Sequence, residues 1–170
     1  MKIDTSEWSE FRVTELFDVV KGKRLTKADM KPGDIRFIGS SAFNNGITAM
    51  IGNTEHVHPA NSITVTYNGS IGEVFYQEEP FWASDDVNVL YPKFNLNRNI
   101  ALFIMATIRG LRFKYDYIYK WMKEYLEQEV IKLPVTSIGT PDWGYMDNYM
   151  DNVVKQTELI LDNLKPVINK

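Results

Sequence analysis

The stretch at residues 62–93 constrains the fold more than any other part of the chain, because strand-forming runs alternate there with turn-forming residues. Residues 62–67 and 71–77 are rich in β-branched and aromatic side chains, which favours strands. Asn68 and Gly69 lie between these runs and predict a type I′ turn, since both central positions of that turn need positive φ. The stretch therefore begins with a predicted β-hairpin.

A third strand is predicted shortly after this hairpin. Pro80 interrupts the second run, and residues 81–84 are predicted as a short apolar link. Residues 87–91 again favour a strand, which Pro92 closes. Three strands joined by polar turns predict an antiparallel meander at the centre of a sheet.

Further short elements are predicted on the N-terminal side of the meander. Residues 1–19 predict a short strand and one helical turn, and Ile35–Ile38 and Ile47–Ile51 predict strands. Residues 21–36 carry six basic and two acidic side chains, and glycine and proline interrupt them. This segment is therefore predicted as a basic loop.

The hydrophobic period changes from two to that of a helix after the meander. Asn97 as a cap and Gly110 as a stop bound a predicted helix at residues 100–108. Apolar side chains surround this helix on all sides, which predicts that it is buried. A short helix follows at residues 120–127, and residues 130–134 predict a closing edge strand that ends in proline.

The C-terminal segment predicts one long helix. Thr140, Pro141 and Asp142 form a start signal, and about 25 helical residues would span about 37 Å. Pro166 is expected to end or fray the helix, and Thr157 is expected to fix register within its apolar seam. A seam of two positions in seven favours a helix from another chain as partner, although packing on the chain's own sheet is an alternative. The predicted dimer interface comprises Trp143, Met146, Met150, Val153, Thr157, Ile160 and Leu164.

These elements predict an α+β fold. A mixed, mainly antiparallel sheet with packed helices occupies residues 1–136, and a linker with the long coiled-coil-like helix occupies residues 137–170. The length of 170 residues, with 44% hydrophobic and 24% charged residues, suits one such domain with an appendage.

Composition also bounds the surroundings of the chain. Cysteine is absent, which excludes disulfides and thiolate chemistry. No apolar run reaches the roughly 20 residues of a membrane-spanning helix, and the N-terminus has no apolar core like that of a signal peptide. A cytoplasmic location is therefore expected.

Catalytic and metal-binding patterns are weak. His56 and His58 share a face of a strand, but zinc needs three or four ligands and no other histidine or cysteine is present. Asp85 and Asp86 could act as acids, although adjacent carboxylates at a strand end are more often turn residues. Without a phosphate-binding loop, a dinucleotide fingerprint or a nucleophile elbow, the chain is predicted to be non-catalytic and to need no cofactor.

Two basic segments favour duplex DNA as a partner. Residues 21–27 concentrate cations, and residues 112–120 interleave cations with aromatic side chains. Asn-rich turns add amides that can bind base edges. The plainer alternative is that these cations only solvate loops. If they bind DNA, they should lie on one concave face, and the predicted DNA contacts are Lys21, Lys23, Arg24, Lys27, Asn44, Asn45, Asn68, Ser70, Arg112, Lys114, Tyr117 and Lys120.

A family resemblance extends over almost the whole chain. In order and spacing together, its motifs resemble a target recognition domain of the DNA specificity subunit of type I restriction-modification enzymes, including single-chain and Bcg-like relatives. The sequence departs from the common pattern at residues 117–121, where many members are polar. The matching motifs are Trp8-x-x-Phe11, Leu16-Phe17, Lys21-Gly22-Lys23-Arg24, Phe37-Ile38-Gly39, Asn44-Asn45-Gly46-Ile47, Tyr67-Asn68-Gly69-Ser70-Ile71-Gly72, residues 80–87, Ile131-Lys132-Leu133-Pro134 and the long helix.

The resemblance implies a function and partners. Full-length specificity subunits carry two recognition domains and two antiparallel spacer helices, each domain reads half of a split DNA target, and methyltransferase subunits dock on them. With one domain and one helix, this chain resembles a half subunit that would pair with itself as an antiparallel homodimer. The alternative is a scaffold half subunit that binds partner subunits without reading DNA productively.

Overall fold

The computed structural model describes the backbone of residues 3–168 and the side chains of residues 3–164. Within that range the chain forms an α+β fold, as predicted. In order, its elements are β1 (Ser9–Arg12), α1 (Val13–Leu16), β2 (Phe17–Lys21), β3 (Ile35–Ile38), β4 (Ile47–Ile51), β5 (Ser62–Thr66), β6 (Val74–Gln77), β7 (Phe81–Ala83), β8 (Val87–Pro92), α2 (Arg98–Arg109), α3 (Lys123–Leu126), β9 (Val130–Leu133) and α4 (Trp143–Ile168).

The described strands form three small sheets. The central sheet has four antiparallel strands in the order β2-β8-β5-β6. A second sheet has the order β4-β3-β7, in which β3 and β7 are parallel. β1 and β9 form an antiparallel pair, so the predicted closing strand pairs with the N-terminal strand.

The predicted meander is wrong in strand order. β8 pairs with β5 and leaves β6 at the edge, because the chain first leaves the central sheet at Phe81–Ala83. These residues were predicted as a link, but they form β7, which is buried and parallel to β3. A short apolar run between turns is compatible with either a link or a fully buried strand. Here the run forms a strand because it pairs with β3, which is distant in sequence.

The predicted type I′ turn is also wrong. A loop of residues 67–73 joins β5 to β6, and the amide of Gly72 donates to the carbonyl of Thr66 at 2.9 Å. Positive φ falls on Gly69 (65°) and Gly72 (75°) and not on Asn68. The strands are consequently shorter at the loop than the composition predicted.

The N-terminal region contains the predicted strand and helical turn, followed by a strand that was not predicted. β2 (Phe17–Lys21) pairs antiparallel with β8, with Lys21 opposite Asn88. Phe17 and Val19 are buried and Asp18 between them is exposed. This alternation was the available signal for β2, and the preceding helical turn obscured it.

Two apolar layers enclose the central sheet. One face packs on α2, which is capped as predicted by Asn97, whose Oδ1 accepts from the amide of Ile100 at 2.9 Å. The opposite face buries Val87 and Val89 against the β3–β7 sheet. Each buried aliphatic side chain contributes about 1.5–3 kcal/mol. The layer against α2 includes Val19, Ile63, Val65, Leu90, Ile100, Ile104 and Ile108.

A buried histidine lies in the second layer. His58 stacks on Phe81 with ring centroids 5.2 Å apart, and its Nδ1 lies 2.6 Å from the hydroxyl of Tyr91. Burial lowers the pKa of His58 below its ordinary value of 6.5. The unfolded chain therefore binds a proton at this position more readily than the folded chain does.

We expect the free energy of unfolding to decrease as pH falls below 6.5 toward the lowered pKa of His58. Urea unfolding at a series of pH values measures this slope. His58→Asn should flatten the slope, whereas His56→Asn, at the exposed neighbouring histidine, should leave it in place. A slope near pH 6 that survives in His58→Asn would contradict the assignment.

The long helix α4 begins two residues later than Thr140 would place its cap. Asp142 caps the first turn, since its Oδ1 accepts from the amide of Tyr145 at 2.8 Å. Thr140 instead bonds to Thr136 within the preceding turn. The helix has 26 residues and continues to Ile168, two residues past Pro166, which gives a length of about 39 Å.

The first two turns of α4 pack on the chain's own core. The ring of Trp143 stacks on Phe94 at 3.9 Å, and Tyr149 meets Phe103 edge-on at 5.8 Å. Met146 is fully buried in this contact. Met146 was predicted to lie in a dimer interface, and this prediction is wrong because the side chain is buried in its own domain. The apolar positions at the start of α4 face that domain, and the apolar positions beyond it are half-buried or exposed.

Candidate nucleic-acid interface

Four strand ends meet at one edge of the central sheet. In the antiparallel register, the last residues of β2 and β5 lie beside the first residues of β6 and β8. The loops that leave these ends therefore cluster. We call this cluster the basic end, defined by residues 21–27, 67–73 and 84–86.

The first basic segment is held against the basic end by its backbone. The amide of Lys23 donates to the carbonyl of Ala83 at 2.9 Å, and the carbonyl of Lys23 accepts from the indole of Trp82 at 2.7 Å. Gly22 permits this approach, because a Cβ there would lie 2.1 Å from the carbonyl oxygen of Ser84. The backbone is therefore fixed while the lysine side chain stays exposed.

The cations of this segment are weakly neutralised. Lys21 lies over the ring of Tyr67 at 5.1 Å, and a hydrogen bond with that residue raises the pKa of Lys21. Arg24 pairs with Asp85 at 3.7 Å in an exposed contact, which contributes little in water. Within the described side chains, Lys23 and Lys27 form no ion pair. These cations are therefore available to phosphate.

An open cleft of about 610 Å³ adjoins the segment. The residues that line it include Arg24, Lys27, Ser40, Asp85 and Asp86. The cleft combines cations with hydrogen-bonding groups, which is the chemistry that both phosphates and base edges require.

Asn68 and Ser70 lie in the loop of residues 67–73 at the basic end, and much of their hydrogen-bonding capacity is used. The side-chain Nδ2 of Asn68 donates to Oδ1 of Asp86 at 2.9 Å, and the backbone carbonyl of Asn68 accepts from the hydroxyl of Ser40. The same hydroxyl accepts from the amide of Ser70 at 3.1 Å. Asp85 and Asp86 are thus engaged by Arg24 and Asn68, as expected of turn residues.

The second basic segment borders the basic end on the side of α2. Arg112 lies against Gly72 and pairs with Glu73 at 2.7 Å. The carbonyl of Trp121 accepts from the side chain of Asn88 at 3.3 Å, which ties the far end of the segment to β8. The rest of the predicted set in this segment is Lys114, paired with Glu129, and Tyr117 and Lys120, which contact each other.

Asn44 and Asn45 lie away from the basic end. The side-chain amide of Asn45 donates to the carbonyl of Tyr76 at 2.9 Å and to Oε1 of Gln77 at 3.2 Å. These partners stand at the other end of β6, opposite Ser62. We infer that the side-chain amide of Asn45 fastens a loop to the sheet edge. The base-edge contact of Asn45 stays a prediction.

We expect Asn45→Ala to lower the free energy of unfolding by about 1–3 kcal/mol, because buried partners lose their hydrogen bonds. Asn44→Ala is the matched control, since Asn44 has a similar φ of 51°, against 53° at Asn45, but is exposed. Urea unfolding compares the two. Equal stability of both variants, or an altered DNA sequence preference in Asn45→Ala, would contradict the structural role.

Neither a metal cluster nor a membrane-spanning helix is found in the described part of the chain. No group of three or more His, Asp or Glu side chains among residues 3–164 could hold a metal ion. No described helix is long and apolar enough to cross a bilayer.

The second half of α4 carries an apolar stripe beyond the domain. Val153 is half-buried, and Ile160 has 59% of its surface exposed. The hydroxyl of Thr157 donates to the carbonyl of Val153 at 2.8 Å within the helix. If Thr157 fixes the register of a helix pair, its hydroxyl oxygen can therefore only accept a hydrogen bond from the partner helix. We call this the α4 stripe, defined by Val153, Val154, Thr157, Ile160, Leu161 and Leu164.

A known protein family matches almost the whole chain. A model of the type I restriction modification DNA specificity domain matches residues 5–165. The chain belongs to this family. The specificity subunit S.BcgI of a type II restriction enzyme from Heyndrickxia coagulans is 42% identical over 147 residues, which cover 84% of this chain and 42% of that subunit.

Solved specificity subunits share the fold. The S subunit of a type I system from M. genitalium superposes with a TM-score of 0.64 at 19% identity, over 95% of this chain and 44% of that one. The HsdS subunit from Thermoanaerobacter tengcongensis gives 0.66 at 15% identity, over 93% and 40%. The chain spans less than half the length of each of these relatives, and the family resemblance of the sequence is confirmed.

Proposed function

We propose that this chain acts as a half-length specificity subunit that reads one half of a split duplex DNA target. The observation that carries the proposal is the basic end, where Lys21 and Lys23 project from a backbone fixed to the sheet and the exposed Lys27 follows on the same segment. Arg24 joins them once its exposed ion pair opens. Family membership over residues 5–165 supports the same role.

Family membership supports a proposal for the partners as well. The chain itself is non-catalytic, and it directs methyltransferase subunits to adenine within the cytoplasm. The relative S.BcgI is named as a specificity subunit of a restriction enzyme, which supports this division of labour. We place the recognition domain at residues 1–136 and the linker and spacer helix at residues 137–170.

A homodimer would complete the assembly. The α4 stripe is an apolar surface of the kind that monomers avoid, and a second α4 packed antiparallel about a twofold axis would cover it. Two recognition domains would then stand at opposite ends of the paired helices. The DNA target of such a dimer is an inverted repeat with a fixed gap.

Salt dependence of duplex binding tests the recognition function. Four to five cations on phosphate predict that log K falls with log salt concentration at a slope of about −4. Titration of the purified chain with duplex DNA from 50 to about 300 mM salt measures this slope. A flat response, or no binding at low salt, would contradict the proposal.

A scaffold half subunit is the second candidate function. The observation that favours it is the α4 stripe, which lies outside the basic end and could hold partner chains whether or not DNA is bound. A chain that dimerises and binds methyltransferase subunits, but gives no salt-dependent duplex binding, would support this candidate over the first.

A further inference from the structure

Exposed apolar side chains concentrate on the loop between α2 and α3. At its tip, Tyr117 is 77% exposed and Ile118 is 93% exposed. Folding of the chain does not account for them, because they cover no apolar surface of their own domain. Phe113, Tyr119 and Met122 extend this exposed set along the loop.

The tip is held in one conformation. The amide of Asp116 donates to the carbonyl of Tyr119 at 3.1 Å and closes a tight turn. The carboxylate of Asp116 accepts from the amides of Ile118 at 2.8 Å and Tyr119 at 2.7 Å. The acidic group is therefore engaged by the turn itself, and the two apolar side chains project from a fixed backbone.

A stack of rings supports the tip from below. Tyr115 stands parallel to Tyr119 at 5.6 Å and to Trp121 at 4.7 Å, and Trp121 is fully buried. The hydroxyl of Tyr115 donates to Glu129, which also accepts from Lys114. Burial is the larger cause, and the hydrogen bond to Glu129 the second cause, of a raised pKa at Tyr115. The hydroxyl of Tyr115 therefore keeps its proton at neutral pH.

One lysine beside the tip, Lys120, has no carboxylate partner among the described side chains. The other basic side chains of residues 112–123 are paired, Arg112 with Glu73, Lys114 with Glu129 and Lys123 with Glu127. Lys120 lies over the ring of Tyr117 at 5.6 Å, and Arg112 borders the basic end at Gly72. An apolar tip beside an unpaired lysine and next to the basic end suits a polyanion with an apolar interior, which describes stacked base pairs between phosphate strands better than it describes a protein surface.

We propose that Tyr117 and Ile118 insert between neighbouring base pairs of the bound duplex. Apolar wedges of this kind unstack a base step and kink the DNA. The fixed turn means that little conformational entropy is lost on insertion. Because base steps differ in the energy of unstacking, the wedge adds sequence selectivity without hydrogen bonds to bases. The inference rests on the proposed DNA recognition and names a specificity-determining element within it.

Fluorescence of 2-aminopurine tests the wedge, since this base brightens when it is unstacked. The probe is placed in turn at each position of a duplex recovered by selection from random sequences with the full chain. We expect one step in each half of the inverted repeat to brighten on binding, because each chain of the dimer carries one tip. We expect Ile118→Ala to lose this signal and about tenfold in affinity. Ile138→Ala is the matched control, an 82% exposed isoleucine next to α4, and its affinity should change by less than about twofold.

A destabilised base step gives an independent readout. A mismatch at the brightened step removes part of the unstacking cost, so it should tighten binding of the native chain and tighten binding of Ile118→Ala much less. Duplex binding without a bright step, and unchanged in Ile118→Ala, would overturn the wedge and leave DNA recognition standing. Absence of all duplex binding would overturn both. Loss of methyltransferase binding in Ile118→Ala, with DNA binding intact, would identify the tip as a protein-docking surface instead.

Discussion

Replacing Ile160 and Leu164 together by aspartate is expected to convert a dimer into a monomer of 19.7 kDa. Both side chains lie on the exposed part of α4, so the substitution leaves the domain core untouched. In a helix pair it would bury carboxylates without partners, which costs several kcal/mol. Sedimentation equilibrium at micromolar concentration measures the change.

Leu159→Asp provides the matched control for this experiment. Leu159 is 64% exposed and adjoins Ile160 in sequence, but it points away from the α4 stripe. The Leu159→Asp variant should therefore remain dimeric. A native chain that sediments as a monomer, or a Leu159→Asp variant that dissociates as fully as the double variant, would contradict an interface on the stripe.

The same double variant should lose DNA affinity. A dimer binds the second half of an inverted repeat at high effective concentration, which raises affinity by about 100-fold or more over one half. The monomeric variant should therefore bind a full repeat and a single half-site equally well. A full repeat that is still strongly preferred would show that one chain reads the whole target.

Removing Lys23 and Lys27 together by alanine substitution should weaken binding to all duplex sequences alike, by about tenfold or more at low salt. Both ammonium groups are exposed and lack ion pairs among the described residues. Each lost phosphate contact should reduce the slope of log K against log salt by about one. Filter binding across a salt series measures both quantities.

Lys155→Ala is the control for the lysine variants. It also removes one positive charge, but Lys155 lies on α4 and pairs with Asp151 at 2.6 Å. Its salt slope should match that of the native chain. A slope that is equal in all three proteins would place the phosphate contacts elsewhere than at the basic end.

Much of the fold could be predicted from local sequence. Neighbouring residues determine the strands at Ile35–Ile38 and Ile47–Ile51 and the Asn97 cap of α2. The local amino-acid sequence is therefore enough to predict them. The parallel pairing of β7 with β3 is different, because it joins segments more than 40 residues apart through their backbones. Composition alone does not specify such a partner.

In the candidate site, too, some features could be predicted from local sequence and others depend on the fold. Residues 21–27 could be predicted from charge and glycine, although the need for Gly22 beside Ser84 became clear only from the fold. The bond that Asn45 makes within the fold could not be predicted, because an exposed-looking Asn-Gly turn gives no sign of a hydrogen bond to Tyr76, 31 residues away. Met146 was assigned wrongly because heptad spacing is the same whichever surface covers it.

Selection of duplex DNA from a random pool by the purified native chain tests the central claim most directly. We expect enrichment of one inverted repeat whose two halves are separated by a gap of constant length. We also expect the monomeric Ile160→Asp, Leu164→Asp variant to enrich a single half of the same sequence. Failure to enrich any sequence, or enrichment of one undivided asymmetric site, would contradict it.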